Sequence, residues 1–476
     1  MQLWDRLMAT IKNHMPGTEG GLQEWLDGAA DMGGDRCHDY RLYHDFYTGN
    51  KGAELRDRAR QYLELNGVPF TENFCDVVVD TMAERLRVIG FSGPADTAAG
   101  EAEEWWRLNR MDGVQQVVHA GCLIRGDEFV IVDWDDVRGA PRFTRQQPHH
   151  VKIVYDDDQP DRIMYATKVW NTRRVGQLNP KGRAIRRLNV YWPDRVEKWY
   201  RPDSGGDAGA WERWQDDDDL GWPVWWTITG DEMGDPLGVP VVHFRHRPDG
   251  TGQGRSRIRQ VIPFQAELNK YLADLSDLVD NHALPQDWVK GVAGDNVTFK
   301  RVPGNMWQAT SADAEFGRLE ASPADNLLAV IEGVLSRMAR KTRTPMHLLT
   351  GGTPPSGESL KTAESGLIAS VEAAQVGLGN SWEDMIGLGF RLASVFADIP
   401  MLPEDVLIET QWANPATRSD KDELETATLK KQLGVSKRTL LQELGYDPEA
   451  EEELRRAEND EAQAAMAGLL NSGVDG

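Results

Sequence analysis

At 476 residues the chain is too long for one ordinary core and holds enough sequence for two or more packed modules. Its 76 acidic and 53 basic residues give a net charge of -23, which excludes the overall positive field of a protein that grips nucleic acid by its phosphates. Three cysteines, Cys37, Cys75 and Cys122, are odd in number and far apart, so neither a disulfide framework nor metal-ligand spacing is expected. The start Met1-Gln2-Leu3-Trp4-Asp5-Arg6 has no apolar core and no apolar run reaches about eighteen residues, so we expect neither secretion nor a membrane partner, and synthesis in the cytoplasm.

In chain order, the first 110 residues are expected to be mostly helical. Glu54 to Leu65 is charged and amphipathic, and Asn73 to Ile89 places Phe74, Val77, Val78, Met82, Leu86 and Ile89 near one face. A strand-rich texture is expected from Val114. Strands are predicted at Glu128 to Trp134, Val151 to Tyr155, Ile163 to Trp170, Leu188 to Trp192 and Val196 to Arg201, separated by Asp, Pro and Gly turns. Eight of the 17 tryptophans fall between Trp170 and Trp226. They suit a sheet that buries one face, by core filling or by contact between subunits.

After Val239 to Phe244, Ser256 is a candidate cap for a helix running to Asn281, with Ile258, Val261, Ile262, Leu268, Leu272, Leu275 and Val279 three or four residues apart. Pro263 must kink that helix or begin its second, longer segment. About forty residues of short strands and turns follow, and then Ser322-Pro323-Ala324-Asp325 marks the start of a second helix ending near Lys341. Its basic end, Arg337, Arg340, Lys341 and Arg343, suits the helix dipole and also DNA contact. A Pro- and Gly-rich loop leads to a long helix from Glu358 to Ala397. The last segment is a small helical unit, and its 14 acidic and 8 basic residues from Pro415 to Gly476 argue against phosphate binding.

Catalytic motifs are weak. Gly352-Thr353-Pro354-Pro355-Ser356-Gly357-Glu358-Ser359 has the glycine spacing of a phosphate loop, but Glu358 stands at the lysine position and two prolines remove amide donors. Asp133/Asp135/Asp136, Asp156-Asp157-Asp158 and Asp216 to Asp219 are the material for a two-metal nuclease, although runs of Asp commonly mark solvated turns. The pairs His149-His150, His243/His246 and His119/Cys122 lack a second pair nearby to complete a zinc site. No cofactor and no enzymatic activity are expected.

The order helix, compact excursion, returning helix, loop and long helix resembles the siphophage-type portal proteins of tailed double-stranded-DNA bacteriophages. The resemblance runs from about Tyr40 to Asp447, through Tyr40 to Asn50, Asn73 to Asp80 with Gly90-Phe91, and Trp105, Asn109 and Met111-Asp112. It is carried most by Gly254-Arg255-Ser256 to Gln265, Asn269, Ala283 to Trp288 and Pro354 to Lys361.

That resemblance implies an α+β portal fold. Residues 1–252 would be the wing, 253–283 and 322–341 the two stem helices, 284–321 a small α/β clip and 342–357 a tunnel loop. Residues 358–413 would be a long kinked helix and wing return, and 414–476 a helical crown with an acidic tail. At about 1.5 Å per residue the first stem helix would be roughly 40 Å long. The resemblance further implies a ring of about twelve copies at a capsid vertex, passing double-stranded DNA non-specifically. Its partners would be the terminase large subunit, then a head-tail adaptor protein, with the major capsid and scaffolding proteins around it.

On this chain the tunnel loop would present Arg343, Thr344, Pro345, Gly351, Gly352, Thr353, Pro354, Pro355, Ser356 and Gly357 to the channel, and Arg337, Arg340 and Lys341 would be the candidate DNA contacts. Asp287, Trp288, Lys290, Asp295, Lys300 and Arg301 would form the docking surface of the clip. The competing readings are a minor structural head protein without a channel and, further off, a metal-dependent nuclease on the Asp clusters.

Overall fold

The computed structural model describes residues 19–33, 35–50, 72–93, 96–160, 162–173, 184–202, 209–214, 223–248, 252–282, 286–291, 313–319, 325–352, 357–397, 399–402, 408–416, 427–443, 451 and 455–456. The expected helix from Glu54 to Leu65 and the Asp216 to Asp219 run lie outside the described residues. The chain forms two compact units, Met1–Trp412 and Ala413–Gly476.

The first unit opens with helices α1 (Glu19–Ala29), α2 (Asp35–Tyr47) and α3 (Cys75–Ala83). The helical pattern read from Asn73 to Ile89 stops early, because Gln115 takes Val88 out of it. The Gln115 side chain accepts from the Val88 amide at 2.7 Å and donates to its carbonyl at 3.3 Å. Strand β1 (Val88–Ser92) then pairs antiparallel with β13 (Glu409–Trp412), more than three hundred residues away. Helices α4 (Asp96–Leu108) and α5 (Met111–Arg125) follow. The strand texture expected from Val114 is therefore corrected: Val114, Val117 and Val118 sit in α5, whose Met111, Gln115, Val118, His119 and Cys122 are buried at helical spacing. Packing overrides the β preference of its valines.

Two antiparallel sheets follow. One has the order β10-β2-β3, from β2 (Asp127–Asp135), β3 (Ala140–Gln146) and β10 (Val241–Arg245). The other runs β4 (Val151–Tyr155), β5 (Ile163–Thr172), β6 (Ile185–Tyr191), β7 (Arg195–Pro202) and β8 (Glu212–Arg213), with β9 (Val224–Trp225) also on β7.

Strand β2 is buried on both sides, and its alternate residues explain how. Val130 and Val132, with Val242 and Phe244 of β10, join the main core against the helices. Phe129 and Ile131, with Val241, pack instead against Val151, Ala166, Tyr191 and Val196 of the larger sheet. The opposite face of the larger sheet is covered by α1, where Leu26 and Ala30 meet Leu188, Val190, Trp192, Trp199 and Trp211. Trp25 stacks on Trp192 with ring centroids 5.7 Å apart. These tryptophans fill a core within one subunit.

Helix α6 (Ile262–His282), the hairpin β11 (Gln286–Lys290) and β12 (Glu315–Leu319), helix α7 (Asp325–Thr342), the short helix α8 (Met346–Thr350) and the 40-residue helix α9 (Gly357–Phe396) complete this unit. Despite its glycines, α9 is one continuous element lying on β10. Its Trp382 is fully buried against Phe244, with centroids 4.4 Å apart. The capped start read at Ser322 lies outside the described residues.

In the second unit residues 427–432 are helical, and the chain turns at Gly434 before α10 (Lys437–Glu443). Ser436 caps α10, its hydroxyl accepting from the Thr439 amide at 3.2 Å.

Candidate functional site: a helix pair and its buried root

Helices α6 and α7 pack antiparallel. Arg337, near the end of α7, bonds Glu267 near the start of α6 at 2.9 Å, and its guanidinium lies 5.7 Å from the Phe264 ring centre. The face of α7 carrying Ile331, Val334, Leu335, Met338 and Ala339 is buried, while Leu328 and Val330, one turn nearer the hairpin, are exposed. The far end of the pair is the β11–β12 hairpin. It exposes Trp288 and Phe316, and Lys290 pairs with Glu315 at 3.7 Å across it. Asp287 lies on β11, paired with Arg318 in register. Asp295, Lys300 and Arg301 lie outside the described residues.

The first helix is shorter than its pattern predicts. It starts at Ile262, with Pro263 in its first turn where a missing amide costs nothing, and its 21 residues span about 30 Å. Ser256 does not cap it. The Ser256 hydroxyl is buried and donates to the Ile124 carbonyl at the end of α5, at 2.6 Å.

Residues before α6 therefore form a root instead of a helix. The Gly126 carbonyl accepts the His246 amide at 2.9 Å, the Arg255 amide donates to the His246 carbonyl at 2.7 Å, and the Arg257 amide reaches the Leu123 carbonyl at 2.8 Å. Gly254 donates to Asp127 Oδ1 at 2.8 Å. Asp127 is fully buried yet four-fold partnered: it also accepts from His243 Nε2 and the Tyr40 hydroxyl, each at 2.8 Å, and from Arg36.

Burial opposes the charge on Asp127. The His243 hydrogen bond and the Arg36 guanidinium outweigh it and hold the carboxyl below its usual range. Burial likewise lowers His243, which is neutral: Nε2–H donates to Asp127, and Nδ1 accepts from the Tyr155 hydroxyl at 2.8 Å. Next door, Glu128 bonds Arg125 at 2.8 Å and Arg145 at 2.7 Å, but here burial wins and the carboxyl is raised. The two acids tie α2, α5, β3, β10 and the root of α6 together through groups that cannot be left unpaired.

Beyond α7 the chain reverses. Arg343 adopts the left-handed conformation, φ 56°, and the Thr344 amide bonds back to the Ala339 carbonyl at 3.1 Å, the geometry that closes a helix end. The loop read over 342–357 is not wholly a loop, since Met346–Thr350 form α8. Thr344, 3% exposed, and Pro345 are buried inside the subunit. This corrects the expectation that their side chains face a channel; the Thr344 hydroxyl accepts from Thr342 at 2.9 Å instead. Arg343, Gly351 and Gly352 are exposed. Thr353, Pro354, Pro355 and Ser356 lie outside the described residues, and Gly357 opens α9. Arg340 and Lys341 are exposed, whereas Arg337 is engaged with α6. Sequence reading missed Glu364 of α9, buried between Arg85 at 3.3 Å and His347 of α8 at 3.9 Å.

The residues weighed for metal chemistry have structural occupations. Burial pushes His119 down to about 4; its Nδ1–H donates to the Leu86 carbonyl at 3.1 Å and its Nε2 accepts from Trp382 at 3.0 Å. Cys122 donates to the Gly126 carbonyl at 3.4 Å. His246 donates from Nδ1 to the Arg255 carbonyl at 2.8 Å, and His150 Nδ1 lies 3.1 Å from the Val169 carbonyl. Asp156 accepts from the amides of Asp158 and Gln159, so that run is a turn, and Asp135 accepts from those of Val137 and Arg138, so Asp133, Asp135 and Asp136 are the end of β2 and the turn that follows it. Among the described residues no three His, Cys, Asp or Glu are grouped to hold a metal ion, and no helix is long and apolar enough to cross a membrane.

The sequence profile of the family described as phage portal protein, SPP1 Gp6-like, matches residues 39–466, and the chain belongs to that family. The portal protein of Mycobacterium phage D29 is 24% identical over 428 residues, covering 83% of this chain and 80% of the relative. That of Mycobacterium phage L5 is 24% identical over 425 residues, with the same coverages. Among solved structures, a chain from the neck of a native GTA particle computed with C12 symmetry is similar at a TM-score of 0.45 and 12% identity, covering 79% of this chain and 90% of that one.

Proposed function

We propose that copies of this chain form a ring of about twelve at one vertex of the capsid and line the channel through which the genome enters and leaves. The observation that carries this reading is the α6–α7 pair: two antiparallel helices rooted in a buried junction, tipped by a small hairpin, with Leu328 and Val330 left uncovered in one subunit. An apolar face on a rigid helix needs a neighbour, and a repeated neighbour related by rotation closes a ring.

In that ring, residues 1–252 serve as wing, 253–283 and 322–341 as stem and 284–321 as clip. Residues 342–357 approach the channel, 358–413 form the long helix and wing return, and 414–476 make the crown. The exposed Trp288 and Phe316 suit the clip to docking the terminase large subunit during packaging and a head-tail adaptor afterwards, with major capsid and scaffolding proteins around the wing. Assembly takes place in the host bacterial cytoplasm and the product resides in the virion.

Translocating DNA must not be held. Each phosphate neutralised by Lys or Arg adds a salt-dependent binding term, so a chain with net charge -23 and few basic points near the channel lets the duplex pass. The channel reading assigns the chain no catalytic step. Negative-stain images of the purified chain test the reading: rings with a central hole are expected, and a stable monomer across a wide concentration range defeats it.

A further inference from the structure

We propose that Arg257 is a positioning residue that sets where α7 ends against the body, and thereby where the channel segment Arg343 to Gly352 stands. The inference rests on the channel reading above. Arg257 is 8% exposed, and its guanidinium donates from Nε to the Val78 carbonyl of α3 at 2.9 Å and from Nη2 to the Thr342 carbonyl at 3.0 Å. Both acceptors are main-chain groups. Thr342 is the last residue of α7, so its carbonyl has no partner within the helix and carries the partial negative charge of the helix end.

A guanidinium in this place is costly and specific. The nearby charge acting on it is Arg247, a like one, and burial with that repulsion lowers its pKa to about 10. An apolar side chain could fill the space without that cost, but it could not link a helix end to a second helix in a fixed direction. The planar fork does so. Arg257 is also held at its own backbone, since its amide and the Ser256 hydroxyl take the Leu123 and Ile124 carbonyls at the end of α5. One short segment thus joins the ends of α5 and α7 to α3, five residues before α6 begins. Directly after Thr342 come Arg343, in its left-handed turn, and the buried Thr344, so any shift at Thr342 moves the segment that follows.

The test uses the full-length chain with Arg257→Met and Arg257→Lys, hydrogen exchange across the first unit, ring assembly and in vitro DNA packaging into procapsids. In Arg257→Met, the amides from Thr344 to Gly351 should exchange about tenfold faster, the size expected when one charged hydrogen bond to a helix end is lost. Exchange in α9 and in the β4–β7 sheet should stay unchanged, rings should form, and packaging should fall. Arg257→Lys, whose ammonium can reach the Thr342 carbonyl, should restore most of the protection and the packaging.

Equal exchange in Arg257→Met and the parent, or a rise spread evenly over the whole unit, would overturn the proposal. So would Arg257→Lys behaving no better than Arg257→Met. If Arg257→Met does not fold, Arg257→Gln, too short to span the Val78 and Thr342 carbonyls, takes its place: a local rise confined to residues 344–351 supports positioning, and no local rise refutes it. The exchange contrast can be read in any oligomeric state. Absence of rings in the parent therefore sinks the channel reading, whereas an absent contrast sinks only the role of Arg257.

Discussion

Gly254 lies so close to Gly126 that a Cβ on Gly254 would stand 1.9 Å from the Gly126 carbonyl oxygen, and a Cβ on Gly126 would stand 2.6 Å from the Gly254 carbonyl oxygen. Each glycine is required by the other. Gly126 ends α5 with φ 95°, and Gly254 delivers its amide to Asp127, so the pair brings the root of α6 onto the start of β2. Gly254→Ala meets backbone on the partner side and has no rotamer to escape by. We expect it to destabilise the first unit by about 3 kcal/mol or more, read as a lower urea midpoint at unchanged slope.

Acid should weaken the fold in two stages. His119 and His246 are both held near 4 by burial, so between their unfolded value of about 6.5 and the folded value the unfolded chain binds protons that the folded chain refuses. Their contribution is fully present above about pH 6.5 and is lost as pH falls toward 4, on the order of 3 kcal/mol for each group. Asp127, held below its unfolded value, adds stability that is lost only as pH falls further through its folded pKa. Denaturation midpoints measured from pH 7.5 to 4.5 should fall steadily, and His119→Gln should flatten the slope while lowering the midpoint at pH 7.5.

Arg343 sits in a conformation that suits glycine, at the position after α7 where helix ends favour it. Arg343→Gly should raise stability by about 0.5–1 kcal/mol, measured by thermal unfolding. A loss would mean that the packing of the Arg343 side chain beside Gly366 outweighs the backbone strain.

The basic end of α7 should matter little to DNA passage. Arg337 is engaged in an ion pair with Glu267 on the surface, the kind worth about 0–1 kcal/mol. Replacing Arg337, Arg340 and Lys341 together by Gln should leave ring formation intact and change packaging only modestly, with a slightly lower unfolding midpoint. Loss of packaging in rings of normal appearance would instead make these residues DNA contacts.

Removing Thr353 to Ser356 should leave rings unchanged, because the α6–α7 pair and the sheets lie elsewhere in the chain, yet impair packaging or genome retention. A ring structure placing residues 342–357 on its outer rim would refute the assignment of that segment to the channel.

What the sequence determined by itself is the set of elements whose signals are local. The alternation of β4 and β5, the long period of α9 and the proline in the first turn of α6 depend only on neighbours within a few residues, and these were legible. So was the order of blocks that points to the portal family, because it is a property of the chain read end to end. Tertiary structure alone decided the rest. Val114 to Val118 became helix because α5 is buried along one side, and Val88 became strand because Gln115 and a strand near residue 410 claim it. Thr344 and Pro345, read as channel-facing, turned inward when α7 closed on Ala339. The Gly126–Gly254 contact, the four partners of Asp127 and the reach of Arg257 to Thr342 join residues separated by 85 positions or more. No local pattern encodes which distant carbonyl a buried charge will find; that choice is made when packing removes the water that would otherwise have satisfied both.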